Sequence, residues 1–429
     1  MNKIAVMNSQ ELGESTFTTT LSDGLEVYIC KKTGFSKKIG MFGTKYGSVD
    51  NDFIDITTNK RTKVPDGIAH FLEHKLFEKE GANALDLFSK MGVSSNAYTS
   101  FDQTVYFFET SEKFDESIAM LVKLIKEPYF TDENVQKEQG IIGQEISMYD
   151  DDPNFMVYFN ALRAMYNQNP VRIDIAGTIE SISHITKELL YTCYNTFYSP
   201  QNMFFIVVGD VDVEHTINLI EENLKKYENK NLPKNKIEKF RVDEDKKIAQ
   251  KEIVQKMDIY LPQLCLGYKL DLVNGKEILK NEIVVNIISD MYFSKQSDFF
   301  EKEYNLGKVN DSIDMIYEGS DSFSHVIIST LSTKIDEVEK DILEYIEKIK
   351  NMPVDEEMFE IIKKKKIGEA ILSSDNLNVS YRRIIDSILN KTDVYDQIEV
   401  LKSITKEDIK EFLNKLTTDN QVSSKIISK

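Results

Sequence analysis

In the stretch DGIAHFLEHKLFEKEG, residues 66 to 81, two of the chain's five histidines stand four apart, with a glutamate just before the second. On a helix, residues i, i+3 and i+4 share one face. His70, Glu73 and His74 then fall within an arc of about 100°. Two imidazoles one turn apart can each turn a ring nitrogen toward one ion at about 2.0 Å. Glu73 lies beside that ion, placed to take a proton from a water bound there. The spacing is HxxEH, the reverse of HExxH. In a chain this poor in histidine it arises by chance on the order of once in two hundred chains, which favours a metal over an amphipathic helix that happens to hold two histidines.

A catalytic metal of this kind needs a third protein ligand and an open position. His184, His215 and His325 have no paired context and read as structural or surface residues. A carboxylate fits better. TDENVQKEQGIIGQEISMYDDD, from residue 131, reads as a capped helix carrying Glu133, Glu138 and Glu145. Glu138 and Glu145 are two turns apart on one face and border the apolar stripe of Val135, Ile142 and Ile146. Spacing alone does not choose between these acids, and Asp150, Asp151 and Asp152 also compete. Most such acids are solvated surface charges.

The elements that would position these groups follow from periodicity. TFTTTLSDGLEVYICKK alternates about an Asp-Gly turn and predicts a hairpin. KIGMFGTKYGSVDN predicts a further strand. A helix begins near Pro65 and Asp66, proline being favoured at a first turn and aspartate as a cap. SSNAYTSFDQTVYFFETS predicts two strands, FDESIAMLVKLIKEPYF an amphipathic helix stopped by Pro128, and NMFFIVVGDVD a buried strand. The polar stretch around 229–246 predicts a linker between domains spanning 1–228 and 247–429. The second half repeats the grammar of the first. DEVEKDILEYIEKIKNMPVDEEMFEIIKKKKIGEAIL mirrors DESIAMLVKLIKEPYFTDENVQKEQGIIGQEI: helix, proline break, acidic cap, long helix. Repetition over about 200 residues predicts duplication into two related α/β domains, the second without the histidine pair.

Composition narrows the class. The chain has 429 residues, 41% hydrophobic and 29% charged, enough for two domains with sizeable cores. A net charge of −18 argues against nucleic acid and anionic membranes as partners. Cys30, Cys193 and Cys265 are sparse and scattered, as suits a reducing compartment. No apolar segment opens the chain or is long enough to span a bilayer, so a cytoplasmic protein without a signal peptide is expected.

Three segments together carry a resemblance. GIAHFLEHKLFEKEG, SSNAYTSFDQTVYFF and EQGIIGQEISMYDDDP resemble the pitrilysin/insulinase family of inverzincin zinc peptidases. PVRIDIAGTIESISHIT and FYSPQNMFFIVVGDVD fit its half-length, mitochondrial-processing-peptidase-like branch. The resemblance covers essentially the whole chain, densely in the first half and more loosely in the second. It implies an α+β fold of two homologous α/β sandwich domains, antiparallel-rich sheets covered by helices, of the LuxS and processing-peptidase type. It implies one zinc per chain on His70, His74 and Glu145, with Glu73 as general base and Glu138 as a supporting acid that orients a zinc-bound histidine or the water. It implies that Asn96 and Ala97 lie on an edge strand beside the zinc, where a peptide substrate joins as an added strand. The family's second domain contributes an arginine and a tyrosine near the substrate carbonyl. Here NVSYRRIIDS offers Tyr381 and Arg382, with Arg383 where the family pattern has tyrosine. Full-length relatives join four such domains into a clamshell chamber that admits small unfolded peptides. A two-domain chain is therefore expected to pair, as a homodimer or with a homologous half-length chain lacking the zinc motif. The competing readings are a non-proteolytic subunit, and a single-substrate partner subunit of a heterodimeric processing or modification complex.

Overall fold

In the computed structural model, which describes residues 3–227 and 237–429, the hairpin predicted at Asp23-Gly24 is formed. Strand β1 (Ala5–Ser9) pairs with β2 (Glu14–Thr20), and β2 pairs across the turn with β3 (Glu26–Lys31). The turn needs glycine, since Gly24 has φ +98°. Then come β4 (Lys38–Thr44), the short hairpin β5 (Asp52–Asp55) and β6 (Lys60–Lys63), and helix α1 (Ile68–Phe77). Next are the two-residue strands β7 (Glu78–Lys79) and β8 (Ala82–Asn83), helix α2 (Ala84–Lys90), and strands β9 (Ser94–Thr99) and β10 (Thr104–Thr110). Helices α3 (Phe114–Lys126), α4 (Asp132–Asp150) and α5 (Pro153–Met165) follow, and β11 (Met203–Gly209) comes after further helices.

Contacts divide the chain into two units. The first takes its described residues from Met1–Ile146, Asp174–Arg241 and Ser373–Leu389. Its seven-stranded sheet runs β1-β2-β3-β11-β4-β10-β9, and only β3 and β11 are parallel. Every residue of β11, MFFIVVG, is buried, as an uninterrupted apolar run between two neighbours should be. Val27 and Ile29 face the main core, whereas Cys30 and Glu14 face the helix Leu377–Asn390. Glu14 is buried between two cations there, paired with Lys32 and, at 2.9 Å, with Arg383. Lys32 also donates to the Ser374 carbonyl at 2.5 Å.

The second unit takes Ser147–Ile173, Val242–Leu372 and Asn390–Lys429. Its strands are β12 (Glu252–Met257), β13 (Gln263–Lys269), β14 (Ile313–Gly319), β15 (Ser324–Leu331) and β16 (Gln421–Ser428), in the order β12-β16-β13-β15-β14. Only β12 and β16 are parallel. Numbered in chain order, these five strands follow the order and sense of β3, β4, β9, β10 and β11 in the first unit. The repeated grammar is therefore a repeated topology, and each sheet ends on its third strand, β9 or β14. Leu264 and Leu266 face the second core, and Gly267 on the other face packs against Met165 of α5.

Three details depart from the sequence reading. The two units are not contiguous spans: 147–173, which contains α5, and 373–389 each pack outside the half of the chain in which they occur. Their periodicity shows an apolar face but not which sheet receives it. The predicted linker is in part firmly held. Residues 229–236 lie outside the described residues, but Glu238 and Phe240 bond the backbone of β5, and Lys239 and Arg241 pair with buried Asp50 at 2.9 and 2.6 Å. Glu244 accepts the amides of Asn167, Gln168 and Asn169. Polar composition suggested a spacer, but these polar groups have specific partners. Finally, Asp66 does not cap α1. Its carboxylate is taken by Asn51 at 2.7 Å, and Gly67 precedes the helix at φ +88°, where a Cβ would lie 2.3 Å from the Ala176 carbonyl oxygen.

The buried Glu14 triad yields a stability prediction. Glu14→Leu removes the carboxylate that both cations share and is expected to cost about 3–5 kcal/mol, as breaking a buried pair does. Urea unfolding measures it, and an unchanged midpoint would show that the two cations are solvated instead.

Candidate metal centre

Helix α1 rests on β9 and β10 and buries Ile68, Ala69, Phe71, Leu72 and Leu76. That burial turns His70, Glu73 and His74 together along its remaining face, with the two imidazole centroids 4.5 Å apart. Helix α4 brings the acids. It starts at a reciprocal cap between Thr131 and Asn134, and Val135, Ile142 and Ile146 are buried. With that stripe held, Glu138 and Glu145 face α1. Glu145 Oε1 lies 3.8 Å from His70 Nε2, and its Oε2 lies 3.6 Å from His74 Nε2. One ligand atom from each of these three side chains falls within 4.8 Å of the other two. The gaps are too long for hydrogen bonds. They approach the separation of about 3.3 Å expected between tetrahedral ligands each about 2.05 Å from one zinc.

The protonation preferences suit a cation. Burial, and then the field of His74, push His70 down to about 3, so its imidazole is neutral with a free lone pair. Burial also acts downward on His74, but its bond to Glu138 and the charges of Glu73, Glu138 and Glu145 outweigh it and raise its pKa. Glu138 Oε1 stands 3.1 Å from His74 Nδ1, which leaves Nε2 facing Glu145. Burial raises Glu138, yet the bond from His74 and the charge of Lys75 bring it below the usual glutamate range. Lys75 is fully buried, pairs with Glu78 and reaches Glu138 Oε2 at 3.4 Å. Burial raises the pKa of Glu73, partly offset by the Thr99 hydroxyl, which donates to Glu73 Oε2 at 2.7 Å. Two nitrogens and a carboxylate oxygen, with the buried carboxylate of Glu73 alongside, are a donor set that fits zinc.

The other sequence candidates fall elsewhere. Glu133 is exposed in the first turn of α4. Asp150, Asp151 and Asp152 are exposed, and Asp152 caps α5. His184 and His215 are exposed, with His215 on Asp115 at 2.7 Å, while His325 is fully buried against Glu318 and Tyr166. Asn96 and Ala97 lie on β9, the outer strand of the first sheet, and Asn96 Oδ1 accepts the Ala97 amide at 2.9 Å. Tyr381 and Arg382 stand within electrostatic reach of Tyr98 on the same strand, whose phenol pKa is raised by burial and then by Tyr381. Arg383 turns inward to Glu14 and has no part in this group. A cleft of about 540 Å³ opens beside the site, lined by Glu73, His74, Phe77, Asn96, Lys137 and Ile141. Lys75 and Thr99 carry no sequence signal of their own: a lysine on an amphipathic helix and a threonine in a strand are ordinary there.

Two family descriptions match the chain. Residues 58–179 match "Insulinase (Peptidase family M16)" and residues 184–366 match "Peptidase M16 inactive domain". The chain is 37% identical to the uncharacterized zinc protease YmfH of Bacillus subtilis (strain 168), over 98% of both chains. It is also similar to the crystal structure of a putative M16-like peptidase from Alicyclobacillus acidocaldarius, with a TM-score of 0.93, 33% identity, and coverage of 98% of this chain and 100% of that one. Pitrilysin shares the fold at 16% identity and a TM-score of 0.76, all of this chain matching 46% of pitrilysin. The chain thus belongs to the M16 peptidase family, and its relatives are named as zinc proteases. No helix among the described residues is long and apolar enough to cross a membrane.

The donor geometry predicts one zinc per chain. Glu145→Gln is expected to weaken zinc at least about tenfold, and Glu138→Gln by about 10–100-fold, as loss of a carboxylate behind a ligating histidine does. Glu133→Gln should leave it unchanged. Competition with a chromogenic chelator measures all three, and equal losses for Glu133 and Glu145 would rule out this ligand set.

Proposed function

We propose that the chain is a zinc-dependent endopeptidase that cuts peptides or small unfolded protein segments. The observation that carries this reading is the convergence of His70, His74 and Glu145 beside buried Glu73, next to an edge strand and an open cleft. When bound, zinc would polarise the scissile carbonyl and lower the pKa of a water toward about 7. His70, His74 and Glu145 would hold the metal, and Glu138 would fix the His74 ring. Glu73 takes the proton of the attacking water and returns it to the leaving amine; burial raises its pKa and makes it the stronger base for the first of these transfers.

The peptide would add to β9 as a further strand, with main-chain bonds at Ala97 and a contact to the side chain of Asn96. The Ala97 amide is covered by the side chain of Asn96, so Asn96 would swing aside as the strand docks. Main-chain pairing gives broad sequence tolerance, and the cleft would select among side chains. Exposed Arg382, with Tyr381, would steady the bound peptide from the face of Tyr98. The chemistry belongs to the first half, 1–228, and the second half, 247–429, would be a copy without metal. Since pitrilysin is about twice as long as this chain, a chamber would need two such chains, as a homodimer or with a half-length partner lacking the zinc motif.

Glu73→Gln should keep zinc bound and lose turnover of a quenched peptide by about 10²–10⁴-fold, the range for loss of a general base. Wild-type turnover by that variant would defeat the proposal. Activity that requires a half-length partner would place the complete chamber in the pair. Arg382→Ala should raise KM more than it lowers kcat, since its contacts are to bound peptide rather than to reacting atoms.

A further inference from the structure

Glu73 is buried, yet only one hydrogen bond reaches its carboxylate among the described residues, and it comes from Thr99. A glutamate on a helix has three side-chain torsions to fix before its carboxylate is aimed. A one-ångström error in such a group can cost about a hundredfold in rate. The question is what holds Thr99.

Thr99 is the last residue of β9 and pairs in register with Thr104 of β10. Its Oγ1 lies 3.3 Å from Thr104 Oγ1, and Thr104 donates in turn to the Tyr46 carbonyl at 2.9 Å. The turn joining β9 to β10 is clamped from outside. Ser48 and Val49 donate their amides to the carbonyls of Ser100 and Phe101, both at 3.0 Å. Gly47 sits so close that a Cβ there would lie 2.3 Å from the Asp102 nitrogen. The hydroxyl that meets Glu73 is therefore mounted on a strand end fixed by backbone bonds on both sides.

We infer that Thr99 is the positioning residue for Glu73, so that the strand proposed to receive the peptide also aims the base. This rests on the peptidase reading given above. Thr99 is three residues from Asn96, so peptide register and carboxylate direction share one rigid element. Valine fills the same volume as threonine and offers Glu73 no hydrogen bond.

The test combines kinetics with a measurement on metal-free protein. Thr99→Val and Thr99→Ala should bind zinc as the wild type does, keep KM within about twofold and lose about 10–100-fold in kcat. Thr99→Ser should recover most of that loss. In metal-free protein, Thr99→Val should lower the melting temperature when Glu73 is present and leave it unmoved in a Glu73→Leu background, because the pair is then already broken. Additive shifts would show that the bond does not exist, and the inference would fall. It would also fall if Thr99→Val lost zinc or KM rather than kcat, or turned over like wild type while Glu73→Gln was dead. If Glu73→Gln itself retained turnover, the peptidase reading would fail, and the melting cycle would still decide whether Thr99 holds Glu73.

Discussion

The contact between His74 and Glu138 is the constraint on which the site depends. An imidazole has two nitrogens, and only one of them can face the third donor. Glu138 holds Nδ1, so Nε2 is left toward Glu145. Glu138 is itself restrained by Lys75, a fully buried cation on the same helix as the histidines. A buried lysine needs an anion, and a buried glutamate needs a cation or a donor. Each therefore fixes the other, and α1 and α4 can pack only in the register that satisfies both. The donor set of His70, His74 and Glu145 is a consequence of that register.

Around this pair, the first unit supplies two supports of different kind. The sheet offers β9 as an outer strand, with one side unpaired by any other strand of that sheet. The helix Leu377–Asn390, from late in the chain, is pinned by Arg383 to Glu14 and brings Tyr381 and Arg382 toward Tyr98. One arginine of the adjacent pair is thus structural and buried, and the other is exposed. The second unit repeats the five-strand order without a second group of three histidine, cysteine or acidic ligands among the described residues. The strand order recurs in both units, and among the described residues the donor cluster stands in one of them.

Much of the fold was legible because periodicity records burial. The alternation about Asp23-Gly24, the apolar run of β11 and the stripe of Val135, Ile142 and Ile146 each give the correct element. The break at Phe293 was not: KEILKNEIVVNIISDMYFSKQSDFFEKE forms two helices, Lys276–Tyr292 and Asp298–Asn305, with Ser297 capping the second. Apolar spacing continues across that break and hides it. The two exchanged segments were also illegible, since an amphipathic helix carries a pattern but no address. In the site, HxxEH was visible because a helix converts sequence spacing directly into a shared face.

The sequence by itself determined the pair His70 and His74, the placement of Glu73 beside them and a helix carrying several acids, because all of these are short-range consequences of the helical repeat. The choice among Glu133, Glu138, Glu145 and the aspartates at 150–152 lay beyond spacing, although family resemblance pointed to Glu145. Tertiary structure separates them by packing: the buried stripe of α4 turns Glu138 and Glu145 toward α1 and leaves the others in water. Only the folded chain could bring Lys75 and Thr99 to the carboxylates they hold. Their partners are 63 and 26 residues away in sequence, and a contact made by burying two faces together leaves no mark on the spacing within either one.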